Sequence, residues 1–345
     1  MPNPVIPVLD LGGVTTRTLR APGVTVRLTN LGATLMAIET PDRAGRIANV
    51  LLGYANPADY PASYPTAGGP DPDAYLGATC GRYANRIAGA TFVLDGERHW
   101  LSANEGPNHL HGGARNFHHV VWQVVAASDH RRVVLSHRSP DGDQGYPGAL
   151  DAVATFTLAD DGELAIVYTA TTSRSTHVNL VSHGYFNMSG DPRTSILDHR
   201  LWIDANEILA IDAAGLPTGE RHAITGSPFD FARPRPIGSR IADDDPQLRC
   251  GNGYNHNYIL PGAGVRQVAR LEHPASGRRL TVSTDQPGLQ LYTGSHLGGR
   301  FAPQSGMCLE TQHWPDSPNR PDFPTTRLDP GATYRSETRL RFDVT

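Results

Sequence analysis

Two side chains capable of acid–base chemistry interrupt apolar, strand-like runs. Glu310 lies in Gly306-Met-Cys-Leu-Glu-Thr-Gln-His-Trp314. Strand alternation puts Met307 and Leu309 on one face and Cys308, Glu310 and Gln312 on the other. A carboxylate among small and neutral neighbours is a candidate proton acceptor; the alternative is a solvent-facing glutamate on an edge strand. His183 lies in His177-Val-Asn-Leu-Val-Ser-His-Gly-Tyr-Phe-Asn-Met188, where Asn179, Val181, His183 and Tyr185 share a face. An imidazole titrates near neutral pH, and one flanked by glycine and aromatics has room to meet a ligand. The alternative is a core histidine bonded to a backbone carbonyl.

Two further segments offer polar groups. Gly77 to Gly89 places Arg82, Asn85 and Arg86 in a glycine-bounded bend, and the loop Asn104 to Gly113 adds His109 and His111. Two histidines at that spacing raise the question of a metal, but no acidic or cysteine ligand stands beside them in sequence, so no metal is expected. His118-His119 reads as a surface or loop pair. Trp314, Phe323, Phe229, Tyr292 and Tyr185 stand near polar residues. A sugar has apolar C–H faces and a polar rim, which such aromatics suit, although each taken singly could equally be core.

The elements that must position these groups read as strands. Thr91–Leu94 and Glu97–Leu101 flank Asp95-Gly96, a hairpin signal because both central residues of that turn favour positive φ. Leu150–Leu158 alternates, turns at Asp160-Asp161-Gly162 and resumes as Leu164–Tyr168. Val265–Leu271 and Leu280–Val282 form a third such unit. Helical periodicity is scarce; Ile237–Leu248 could form a turn or two. Many strands without intervening helices predict an all-β chain of antiparallel sheets, a large sandwich or barrel. With no fixed-period repeat and no linker, residues 1–345 are expected to form a single domain.

Composition narrows the partners. The chain has 345 residues and a formal net charge of −4, with no basic block, so neither nucleic acid nor membrane is expected as a partner. The N-terminal stretch has no signal-peptide pattern, and no apolar run is long enough to cross a bilayer. Cys80, Cys250 and Cys308 are far apart, which argues against a disulfide framework or a thiolate zinc site. A cytoplasmic location is the default.

Taken in order, these segments resemble the aldose 1-epimerases, or galactose mutarotases. The likeness runs through Leu28–Ala33, Pro41-Asp-Arg, Gly81–Ile87, Gly106–Gly113, Gly145–Gly148, the histidine strand, Thr218-Gly-Glu, Pro228–Phe231, Gly253–Asn257, Gln290–Gly294, Leu309–His313 and Phe323-Pro-Thr-Thr. The resemblance implies a large antiparallel β-sandwich, the galactose mutarotase-like supersandwich, with a cleft for a hexose. It implies Glu310 as general base and His183 as general acid, with Asn85, Arg86, His111, Asn255, Gln290 and Tyr185 contacting the sugar. It implies no cofactor, a monosaccharide as the small-molecule partner, and a monomer or homodimer. Opening and reclosing a hemiacetal needs only paired proton transfers, with Glu310 ionised and His183 protonated at the start.

The chain departs from the family pattern at Asn255, where the family usually has aspartate. Asparagine is neutral and donates as well as accepts. The departure keeps two alternatives open. One is a non-catalytic sugar-binding homologue. The other is an epimerase or isomerase for a different or modified sugar, such as a phosphorylated one with Arg82, Arg86 and Arg115 as candidate phosphate groups.

Overall fold

The computed structural model describes residues 12–60, 75–125 and 129–345. These residues form antiparallel sheets, with α-helix restricted to Pro246–Gly251 and a few 3-10 turns. The all-β expectation therefore holds, and the Ile237–Leu248 stretch resolves into a 3-10 turn at Ile237–Ser239 followed by the start of that helix.

The larger sheet has nine strands. Its order is Gln123–Val124, Arg132–Ser139, Leu150–Leu158, Glu163–Thr172, Tyr334–Val344, Arg278–Thr284, Arg266–Glu272, Arg200–Ile203 and Arg235–Pro236. All three hairpins read from turn residues are present. At Asp95-Gly96 both residues have positive φ, 52° and 83°, as the two-residue turn requires. Period-2 alternation buries Leu150, Ala152, Ala154, Phe156 and Leu158 and turns the residues between them outward. The outer face is solvated and cross-linked by ion pairs such as Arg138–Asp151 and Arg341–Asp161.

The second sheet holds the chemistry. Its six strands run Tyr185–Phe186, Met307–Gln312, Gly288–Tyr292, Asn255–Ile259, Glu207–Ile211 and Pro217–Ala223. One face, carrying Met307, Leu309, Leu289, Leu291 and Tyr258, belongs to the same buried cluster as Phe156, Ile166, Val282 and Leu340 of the nine-stranded sheet. The two sheets thus share one core, and each fully buried large apolar side chain in it contributes about 1.5–3 kcal/mol. A third sheet of four strands, Thr16–Ala21 through Ile47–Asn49, adds Leu19, Val26 and Leu35 to that core.

The other face of the six-stranded sheet is polar. Register places Gln290 opposite Glu310 and Asn257 opposite Gln290. With Asn255 and Gln312 these residues line one surface, at one end of which Leu209, Trp314, Phe323 and Ile259 pack as a small apolar cluster.

Candidate active site

Glu310 is not on an edge. Its strand is paired on both sides, and the residue is 2% exposed. The solvent-facing alternative is therefore excluded. The histidine segment is not one continuous strand either. Val181–Ser182 pairs with Thr79–Cys80, whereas Tyr185–Phe186 pairs with Met307–Gln312. The chain changes sheets at His183-Gly184, and the switch turns the imidazole toward the polar face. The His183 backbone is tied on both sides, its N–H donating to Ala78 O and its carbonyl accepting from Gly77 N. Gly77 sits at φ +64°, and a Cβ there would come within 1.9 Å of Leu35 O, so no other residue fits that anchor.

His183 Nε2 lies 3.6 Å from Glu310 Oε1. His111 joins them: the His111, His183 and Glu310 ligand atoms all lie within 4.8 Å of one another. The loops that bring His111 here interlock. Asn85 O accepts from His111 N at 3.0 Å, and Asn85 N donates to His111 Nδ1 at 3.2 Å. Both residues have left-handed backbone, φ 65° and 50°, a conformation that costs order 1 kcal/mol outside glycine and is held only by surrounding contacts. Because Nδ1 of His111 accepts, its other nitrogen carries the proton in the neutral ring and presents a donor to the site, not a metal-ligating lone pair.

His109 does not pair with His111. Its Nδ1 donates to Ser102 O at 2.7 Å, which leaves Nε2 to accept from Tyr146 OH at 2.8 Å. His118 and His119 are buried, at 2% and 4% exposure, which corrects the surface reading. Their ring centroids lie 3.8 Å apart with the planes tilted by 39°, and His118 packs edge-on against Tyr75. Tyr75 also contacts His111 and His183, with ring centroids 4.6 and 5.7 Å away. Nothing in the sequence marked it, since it lies outside every motif. Tyr185 packs beside His183, with ring centroids 5.0 Å apart. Phe229 packs on His256 and Tyr254 in the main core, away from the polar face.

A second group of metal-ligand type, Asp198, His199 and His273, is a hydrogen-bonded clamp. His199 Nε2 accepts from Met188 N and His273 Nδ1 accepts from Ser276 N, so both rings direct N–H groups at Asp198.

Of the sugar-contacting residues expected from sequence, Gln290 Nε2 donates to Asn255 Oδ1 at 2.7 Å. Arg86 is close enough for its charge to act on Glu310. Arg82 faces elsewhere: it is buried, and its guanidinium donates to Pro140, Pro147 and Gly148 carbonyls. It is therefore removed from the candidate phosphate groups. Several buried atoms on the polar face have no hydrogen-bond partner among the described residues: Glu310 Oε2, Gln290 Oε1, Asn257 Oδ1 and both amide atoms of Gln312. Such groups are costly unless a polar ligand or water meets them.

Burial governs the protons. It pushes the Glu310 carboxyl up to about 8, against the opposing pull of Arg86. It holds the His183 imidazole down to about 4. His111 is held well below the ordinary histidine value, first by burial and then by the His183, Arg86 and His109 charges. Between about 4 and about 8 the His183–Glu310 pair therefore holds one proton. Burial favours the neutral pair, with that proton on Glu310. This reverses the starting state expected from sequence.

The aldose 1-epimerase family model matches residues 16–341. The chain is 41% identical to the galactose mutarotase of Homo sapiens over 328 residues, covering 92% of this chain and 91% of that one. It is 38% identical to the aldose 1-epimerase of Escherichia coli K12 over 331 residues, 93% of this chain and 92% of that one. Among solved structures it is similar to a galactose 1-epimerase from Lactobacillus acidophilus, with a TM-score of 0.81 and 28% identity, covering 98% of this chain and 99% of that one.

Proposed function

The chain belongs to the aldose 1-epimerase family of sugar isomerases, and on that premise we propose that it interconverts the α and β anomers of a free hexose such as galactose or glucose by proton exchange through Glu310 and His183. The observation that supports this most is the buried carboxylate–imidazole pair at 3.6 Å on a polar sheet face. Binding alone does not require two groups that can trade a proton, so the pair favours an enzyme over a sugar-binding homologue.

The reaction runs as follows. Hydroxyls of the bound sugar donate to Glu310 Oε2, which has no other partner among the described residues. Hydrogen bonds to a carboxylate favour its ionised form, so the proton shared by the pair moves to His183. Glu310 then takes the proton of the anomeric hydroxyl while His183 protonates the ring oxygen, and the C1–ring oxygen bond breaks. The open aldehyde rotates about one bond and recloses on its other face, with the two groups exchanging roles. Each such transfer contributes roughly 10²–10⁴-fold. Asn85, His111, Gln290 and Asn255 supply donors and acceptors to the hydroxyls, and Tyr185 forms a wall.

Of the three arginines considered for a phosphate, Arg82 is committed to backbone carbonyls, Arg86 has its charge and two of its nitrogens paired with Glu105, and Arg115 is exposed on its loop, so a neutral sugar is favoured. Polarimetry on freshly dissolved α-galactose and α-glucose tests the reading. Wild type should speed the approach to equilibrium rotation and Glu310→Gln should not. Equal rates for the two proteins would refute it.

A further inference from the structure

Glu105 lies five residues before the Leu110–His111 end of its loop and outside the residues expected to touch the sugar. Its carboxylate nevertheless makes the most completely formed ion pair near the site. Arg86 Nε donates to Oε2 and Arg86 Nη2 to Oε1, both at 2.6 Å. This is the two-pronged guanidinium–carboxylate geometry that fixes orientation as well as charge. Both partners are mostly shielded, with side chains 16% and 33% exposed for Arg86 and Glu105.

The surrounding backbone fixes both ends. Glu105 N donates to Asn108 O and Asn108 N to Glu105 O, closing the Gly106-Pro107 turn on itself. Asn108 Oδ1 accepts from Gly89 N, tying that turn to the segment that carries Arg86. Gly215 leaves room for the guanidinium, since a Cβ there would come within 3.1 Å of Arg86 Cζ and Nη1. The carboxylate thus holds the guanidinium close beside Gly215. Its Nη1 donors have no partner among the described residues.

We propose that Glu105 is a positioning residue for the sugar site, holding the Arg86 guanidinium in place and partly neutralising its charge where it faces Glu310. The inference rests on the aldose reading above. It makes two separable statements. Geometry: without the two-pronged contact Arg86 is no longer held, and sugar binding weakens. Charge: Arg86 lowers the Glu310 pKa, and on this proposal the negative charge of Glu105, paired to that guanidinium, offsets part of the effect.

The experiment compares wild type, Glu105→Gln and Glu105→Asp by the pH dependence of mutarotation on galactose. Glu105→Gln should raise KM roughly tenfold, the scale of one lost charge-assisted contact, with kcat changed less than about threefold. Its alkaline limb should move toward acid by roughly half a pH unit, because Arg86 is then uncompensated. Glu105→Asp keeps the charge but shortens the reach. It should raise KM while leaving the alkaline limb within roughly 0.2 unit of wild type. A purely structural role would alter KM or yield of folded protein without moving the limb. Unchanged KM and an unchanged limb in Glu105→Gln would overturn the proposal. Should wild type itself fail to turn over galactose and glucose, the functional reading fails instead. The crystal structure of Glu105→Gln then decides on Glu105 alone: a guanidinium displaced from Gly215 supports its role, and an unmoved one overturns it.

Discussion

Replacing Glu310 by glutamine should abolish mutarotation and, at the same time, stabilise the fold. Burial raises this carboxyl from 4.5 to about 8. A group whose folded pKa lies above its unfolded one contributes its full stabilisation below the unfolded pKa, and loses it as pH rises through the folded pKa. From pH 4.5 upward the unfolded chain releases this proton while the native chain keeps it. Each pH unit across that window costs the native state up to about 1.4 kcal/mol, so by pH 7 the full linkage is about 3 kcal/mol. Glutamine has nearly the same shape and does not titrate. Its amide must find partners, for which Gln290 Oε1 and Gln312, both unbonded among the described residues, are neighbours on the same face. Allowing about 1–3 kcal/mol for imperfect pairing at every pH, the variant should be more stable by about 1–3 kcal/mol at pH 7.5, where the linkage is about 4 kcal/mol, and between equal and about 2 kcal/mol less stable at pH 5.5, where the linkage has fallen to about 1 kcal/mol. Urea unfolding monitored by tryptophan fluorescence reads this at both pH values. At roughly 1–2 °C per kcal/mol for a chain of 345 residues, a matching rise in Tm should appear at pH 7.5. A variant no more stable than wild type at pH 7.5, or a gain that is the same at both pH values, would refute the claim that burial holds Glu310 out of its ordinary range.

The fold as a whole should be acid-labile. Burial holds His109, His119, His177, His183, His199 and His313 down to about 4 and His256 to about 3. Depressed histidines leave stability intact above about 6.5 and remove it as pH falls toward 4, because only the unfolded chain takes up the protons. Far-ultraviolet circular dichroism against pH should show a steep, multi-proton transition in that window, and a structure unchanged at pH 4 would contradict it. Asn255→Asp should raise kcat/KM on galactose roughly three- to tenfold, since the carboxylate still accepts from Gln290 and adds a charged acceptor for a sugar hydroxyl. An unchanged or lower value would mean that the Asn255 N–H group meets an acceptor on the natural sugar.

Much of this was legible in the residues. Turn chemistry marked the hairpins because Asp95-Gly96 needs positive φ at both positions, and alternation put Glu310 and Gln312 on one face. The resemblance placed His111 and Asn85 near the acid–base pair, and their interlocked backbones bring them there. The missed features depend on pairing between distant segments. Whether Glu310 lay at an edge depended on strands Tyr185–Phe186 and Gly288–Tyr292, far from it in sequence. The sheet change at His183-Gly184 is set by Thr79–Cys80 on one side and Cys308 on the other. Tyr75, the buried His118-His119 pair and the Glu105 clamp become visible only once those loops are folded together.

The pH dependence of kcat/KM for mutarotation, taken from initial rates after a rapid pH jump so that acid unfolding does not intrude, bears most directly on the His183–Glu310 pair. A pair that works with a single shared proton predicts a bell, falling below about 4 where both groups are protonated and above about 8 where neither is. A rate that stays level from mildly acidic to mildly alkaline pH and beyond 9 would contradict proton exchange between these two residues.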